Sequence, residues 1–112
     1  MNRTGQVQVQ APDGTWVTVC AYEELEPGCG VAALLPRGEQ AAVFRTPGGE
    51  VHAVGNRDPF SHADVIADGI TGSVDGVPTV ASPMYKQTFD LRSGVCLDAP
   101  DTALPVYPAQ VV

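Results

Sequence analysis

Val80-Ala81-Ser82-Pro83-Met84-Tyr85-Lys86-Gln87-Thr88-Phe89-Asp90-Leu91-Arg92-Ser93-Gly94 is the stretch from which the fold is read. Ser82-Pro83 opens a tight turn with an aromatic residue and a lysine at its tip, and Arg92-Ser93-Gly94 turns the chain again. Between them, Thr88 to Leu91 predicts a short strand. Two turns bracketing a strand make a rigid loop, suited either to holding a metal cluster or to presenting a surface.

Moving outward, strand signals recur at short intervals. Trp16-Val17-Thr18-Val19-Cys20 alternates and is rich in β-formers, and Pro12-Asp13-Gly14 turns the chain before it. Ala21 to Leu25 supports one helical turn at most. Gly30 to Leu35, Glu39 to Arg45 and Glu50 to Val54 predict three strands separated by Pro36-Arg37-Gly38 and Thr46-Pro47-Gly48-Gly49. Connections this short permit only hairpins, so these strands form an antiparallel meander. A turn-rich loop, Gly55 to Ala63, leads to Val65 and Ile66, and Asp68-Gly69 and Asp75-Gly76 are further turns. Val77 to Ala81 is a strand candidate weakened by Pro78, and the tail from Thr102 to Val112, with Pro105 and Pro108 flanking Val106-Tyr107, predicts an edge strand returning to the meander. The expected architecture is all-β, with antiparallel sheets in a small sandwich or open barrel.

With 112 residues the chain is expected to form a single domain over 1–112. Residues 1–13 are polar, with only Val7 and Val9 alternating, and are expected as a flexible or marginal N-terminal arm. Gly 12 and Pro 10 favour many short elements joined by turns over helices. A net charge of -7, with six Lys and Arg in all, excludes a nucleic-acid partner that relies on clustered cations. No apolar run approaches the roughly 20 residues of a membrane span, and Met1 to Gln10 carries no apolar signal region, so a cytoplasmic location is expected.

Nothing in the chain builds a catalytic constellation: there is no nucleophile elbow, phosphate loop or helix with metal-ligand spacing. Cys20, Cys29 and Cys96 lack C-x-x-C spacing and give neither a disulfide framework nor a zinc site. Cys20 and Cys96, flanked by apolar residues, are expected as small buried side chains, and Cys29, between glycines, as exposed. Asp58, Asp64, Asp68, Asp75, Asp90 and Asp98 stand in turn contexts, where Asp bonds its own backbone. His52 and His62 are expected to be solvated or packing residues.

Asn56-Arg57-Asp58-Pro59-Phe60-Ser61, taken with Ser82-Pro83-Met84-Tyr85-Lys86-Gln87-Thr88-Phe89-Asp90-Leu91-Arg92-Ser93-Gly94, resembles the two cluster-binding loops of the Rieske iron–sulfur domain. That family carries C-P-H in the first loop and C-P-x-H in the second, followed by an F-D strand and a glycine turn. Its 2Fe-2S cluster is held by two thiolates and two imidazoles. At the matching positions this chain has Asp58 and Ser82 for the cysteines, and Phe60 and Tyr85 for the histidines. Phe60 offers no donor atom, and Tyr85 would have to lose a proton whose ordinary pKa is about 10. Hard or poorly acidic oxygens replace the soft thiolates. No cluster or other metal is expected.

Among Rieske-like chains without ligands, the sequence is similar to the family of small subunits of assimilatory NADH-dependent nitrite reductase. The similarity rests on Trp16 to Cys20, Leu25-Glu26-Pro27-Gly28-Cys29-Gly30, Ala42 to Arg45, the D-P-F of Asp58 to Phe60 and the S-P-x-Y-K-Q of Ser82 to Gln87. It implies a Rieske-like fold whose two loops form a former cluster-binding subdomain. It also implies a role beside a large subunit that carries FAD, a 4Fe-4S cluster and siroheme and reduces nitrite to ammonium. The small chain would itself hold no cofactor and no catalytic residue.

Without a cluster, two readings of the loops stay open: Pro59, Phe60, Met84 and Tyr85 pack on one another, or Phe60, Met84, Tyr85 and Lys86 dock on the large subunit. Two other functions compete, a 2Fe-2S ferredoxin of the Rieske type feeding an oxygenase and a free-standing interaction module.

Overall fold

The computed structural model describes residues 5–112. Ten strands form three antiparallel sheets: β1 (Gln6–Gln10), β2 (Trp16–Ala21), β3 (Gly30–Leu34), β4 (Gln40–Arg45), β5 (Val51–Gly55), β6 (Ile70–Val74), β7 (Val77–Ala81), β8 (Thr88–Asp90), β9 (Val106–Tyr107) and β10 (Ala109–Val111). Two single 3-10 turns, Tyr22–Glu24 and Ile66–Asp68, are the only helical segments among the described residues. The first sheet runs β10-β1-β2, the middle sheet β3-β4-β5-β9 and the third β6-β7-β8.

The middle sheet is the expected meander, and β9 closes it beside β5 through Ala53↔Tyr107 and Val54↔Val106. Its central strand β4 reads Q-A-A-V-F-R, an apolar run without polar alternation, because both of its faces are covered. Ala41 and Val43 join Val7, Val9, Leu25, Leu35 and Tyr107 in one core. Ala42 and Phe44, one step out of phase, join Val54, Ile66, Val80, Phe89, Leu91, Cys96 and Leu104 in a second. The middle sheet therefore divides two cores, and the second of them anchors the third sheet and both former cluster loops.

The marginal arm is corrected over 6–10, while residues 1–4 lie outside the described residues. β1 is the central strand of the first sheet, flanked by β2 and β10, and Val7 and Val9 are completely buried. Its polar residues line the other face, where Gln8 accepts from the Gln110 side chain at 2.8 Å and donates to Thr18 Oγ1 at 3.2 Å. Only two valines mark it as a strand because only one of its faces meets a core.

Pro78 does not demote β7, which lies between β6 and β8. The Pro78 carbonyl accepts from Leu91 N–H at 2.9 Å, just past the end of β8. In a strand, a residue's N–H and C=O point to the same edge, so the missing proline donor also faces this strand end and leaves the β6 ladder complete. The β6–β7 hairpin turns through Asp75 (φ 51) and Gly76 (φ 81), the two positive φ values of a type I′ turn.

Candidate functional site

Two loops project from the ends of β5 and β7. The first, 56–65, is fixed at its base by Asn56, which is 2% exposed. Its side chain donates to Gln40 Oε1 at 2.9 Å and accepts from Ala67 N–H at 2.7 Å, so the loop is tied to both the middle sheet and the Ile66–Asp68 turn.

The two loops repeat one backbone motif. In the first, Asp58 N–H donates to the Ala63 carbonyl (2.8 Å) and the Asp58 carbonyl accepts from His62 N–H (2.7 Å). In the second, Ser82 N–H donates to the Gln87 carbonyl (2.9 Å) and the Ser82 carbonyl accepts from Lys86 N–H (3.0 Å). Each leading side chain also accepts from the N–H two residues on: Phe60 to Asp58 Oδ1 at 2.8 Å, and Met84 to Ser82 Oγ at 3.2 Å. The fifth residue of each turn is left-handed, His62 at φ 65 and Lys86 at φ 67. The motif occurs a third time at Asp90, which bonds Val95 and Gly94 through its backbone and Arg92 N–H through its carboxylate at 2.7 Å; there Gly94 (φ 80) takes the left-handed position.

Asp58 and Ser82 are both fully buried, and the Ser82 hydroxyl donates to Asp58 Oδ2 at 2.5 Å. One carboxylate thus joins the two loops, its second oxygen taking the N–H groups of Phe60 and, at 3.4 Å, Ser61. Burial alone pushes the Asp58 carboxyl up, but the Ser82 hydroxyl and these N–H donors outweigh it and hold the group below the usual carboxylate range. Asp58 is a turn residue, as its sequence context predicts, and its bond to Ser82 is an additional role that this context does not mark. The available signal is that the two cysteine positions carry one acceptor and one donor.

The mutual packing of Pro59, Phe60, Met84 and Tyr85 is not what the structure shows for all four. Phe60 is half-buried and tilts against Phe89, with ring centroids 6.3 Å apart, on the edge of the second core. Met84 and Tyr85 are instead 49% and 59% exposed, and Lys86 is exposed beside them. The polar Asp58–Ser82 link and the Phe60–Phe89 contact do the joining that one of the two open readings gave to four side chains.

Other candidates lie apart. His52 meets Glu50 at 3.2 Å on β5, and His62 is exposed on the first loop. Cys29 is exposed, Cys96 is buried in the second core, and Cys20 is half-buried on β2, where burial and then the charge of Glu24 push its thiol up. Among the described residues no helix is long and apolar enough to cross a membrane.

Residues 15–112 match the family model of the Rieske-like [2Fe-2S] domain. The nitrite reductase (NADH) small subunit of Salmonella typhimurium is 38% identical over 97 residues, spanning 86% of this chain and 89% of that one. The chain belongs to this small-subunit family of Rieske-like domains. A solved Mycobacterium tuberculosis structure assigned as an NADH-dependent nitrite reductase small subunit superposes with a TM-score of 0.84 at 53% identity, covering 86% of this chain and 85% of that one. The nitrite reductase [NAD(P)H] large subunit of Klebsiella oxytoca is 37% identical over 100 residues, 89% of this chain but only 10% of that protein. A stretch similar to this chain therefore occurs within that large-subunit polypeptide.

The Rieske-like family implies a 2Fe-2S cluster, and the residues of this small-subunit chain do not fit one. The side chains at the two thiolate positions are spent on each other in the Asp58–Ser82 bond. Phe60 turns a hydrocarbon ring into the second core, and Tyr85 stands in solvent. Among the described residues no three His, Cys, Asp or Glu side chains converge as a metal site.

Proposed function

We propose that this chain is the accessory, non-redox small subunit of a cytoplasmic NADH-dependent nitrite reductase that converts nitrite to ammonium in nitrate assimilation. In this reading it stabilises or orients the large subunit, holds no iron–sulfur cluster or other cofactor, and supplies no catalytic residue. It meets the large subunit with the ends of the two loops: the exposed Met84, Tyr85 and Lys86 and the half-buried Phe60.

The observation that carries the reading is the buried Asp58–Ser82 hydrogen bond in the place of two cluster thiolates. It joins the two loops through a hydrogen bond at the positions where the family's thiolates would stand. The Klebsiella oxytoca large subunit, which contains a stretch similar to this chain, supports a working position beside the large subunit. Exposed Met84 and Tyr85 at one loop tip supply the side-chain types enriched at interface centres.

Nitrite-dependent NADH oxidation by the large subunit, measured with and without this chain, tests the role. Faster turnover, longer-lived activity or fuller cofactor content is expected when the chain is present, and no change in any of them removes the accessory role. Anaerobic reconstitution with iron and sulfide separates the ferredoxin reading. The expected spectrum is featureless in the visible, and stoichiometric iron with 2Fe-2S bands overturns the non-redox reading.

A further inference from the structure

The threefold repeat of one turn motif isolates a feature that folding alone does not explain. The left-handed position is filled by Gly94 in the turn after β8, where a side chain would run into the Leu104 carbonyl. In the two former cluster loops the same position is filled by His62 and Lys86, both exposed. A left-handed backbone disfavours most residues with a Cβ; histidine is among the types that tolerate it better, whereas lysine lacks the short polar side chain that lets Asn or Asp bond locally there. Strain of this kind concentrates where a side chain serves something other than its own fold. The two strained residues sit at equivalent positions of two loops that are joined by the Asp58–Ser82 bond. Lys86 is also the only lysine in a chain with a net charge of -7. The single lysine is thus placed at a loop tip, while the chain's other cations are five arginines.

We propose that His62 and Lys86 are a matched pair of recognition residues, held in left-handed backbone so that both project from the loop face to engage carboxylate side chains of the large subunit. This rests on the small-subunit reading and specifies its chemistry: the occupant is an acidic patch, with carboxylate oxygens accepting from the Lys86 ammonium and from an imidazole N–H of His62.

The test combines two measurements on the full chain with its large subunit. The double variant H62G/K86G relieves the backbone and removes both side chains. Its free form is expected to melt above wild type by roughly 4 °C or more, while its affinity for the large subunit falls about tenfold. Carbodiimide coupling, which condenses an amine with a carboxylate, is expected to link Lys86 to an Asp or Glu of the large subunit, and the single lysine makes the peptide unambiguous. A double variant that binds as tightly as wild type, or melts below it, overturns the pairing while leaving the accessory role standing. Failure of wild type itself to bind the large subunit removes both.

Discussion

Replacing Asp58 by Ala tests directly whether one buried carboxylate holds the two loops together. The side chain accepts from Ser82 Oγ (2.5 Å) and Phe60 N–H (2.8 Å), with a longer contact from Ser61 N–H (3.4 Å). Hydrogen bonds to a charged group contribute about 1.5–3 kcal/mol each, and the third, at its length, adds little. The hydroxyl of Ser82 can turn to another partner, but Phe60 N–H cannot, so the net loss is about 3–5 kcal/mol. Against a total stability of about 5–15 kcal/mol this is severe. At about 4 °C per kcal/mol it lowers the melting temperature by about 12–20 °C. Asp58→Asn keeps one carbonyl acceptor for Phe60 N–H and loses the charge, so it should cost only about 1–2 kcal/mol. The pH dependence adds a second, independent readout. Asp58 is held below the ordinary carboxylate range in the folded chain, so it binds its proton more weakly folded than unfolded. Its contribution is fully present above the unfolded value of about 3.9 and is lost as pH falls through the lower folded value. Thermal melts from neutral pH down to about pH 2 should therefore show wild type and Asp58→Asn converging in acid. Hydrogen exchange at Phe60 and Met84 should accelerate in both variants. An Asp58→Ala protein that melts within about 1 °C of wild type, with unchanged exchange at those amides, refutes the reasoning.

Phe60→Ala removes the half-buried ring from Phe89 and should cost about 2 kcal/mol in urea unfolding, below the 3–5 kcal/mol of a fully buried Phe; a loss under about 0.5 kcal/mol places the ring on the partner alone. Gly94→Ala meets both a left-handed backbone and the Leu104 carbonyl, and should destabilise by at least about 2 kcal/mol in the same assay. Truncation of residues 1–10 removes the central strand of the first sheet with the buried Val7 and Val9, and should abolish cooperative unfolding by circular dichroism, where loss of a mere arm leaves the melt unchanged.

The parts of this fold that were legible in the chain are those whose partners are near in sequence. β3, β4 and β5 are joined by short turns marked by Pro36, Gly38, Pro47 and Gly49, so their pairing follows from loop length. Asp75-Gly76 marks the turn before β7, a strand candidate in the sequence, whereas β6 on its other side carries no strand assignment there. The missed pairing is β1 with β10, where Val7↔Val111 spans nearly the whole chain and no local pattern encodes it. β1 therefore read as an arm, although its alternation was visible. At the site, the loop prolines and the absent ligands were legible, and so was the exposed tip at Met84 to Lys86. The Asp58–Ser82 bond was not, because it joins residues 24 apart whose residue types are equally at home in separate turns.

That bond also bears on how the loop face can work. A cluster fixes two loops by coordination, and a chain that loses it either lets the tips fray or supplies another link. Here the link is buried and charge-assisted, and each half of it also caps its own turn: Asp58 takes Phe60 N–H and Ser82 takes Met84 N–H. The residues proposed for the interface are thus attached one step from the link that fixes the backbone. Ordering a loop on association costs binding free energy, and a face ordered beforehand avoids that cost. If the link serves the interface in this way, Asp58→Asn should weaken association with the large subunit chiefly through slower capture or faster release of a loosened face, even under conditions where the variant remains folded. A folded Asp58→Asn chain with wild-type association and dissociation rates would confine the link to stability, and would leave the strained His62 and Lys86 as the part of the loops that answers to the partner.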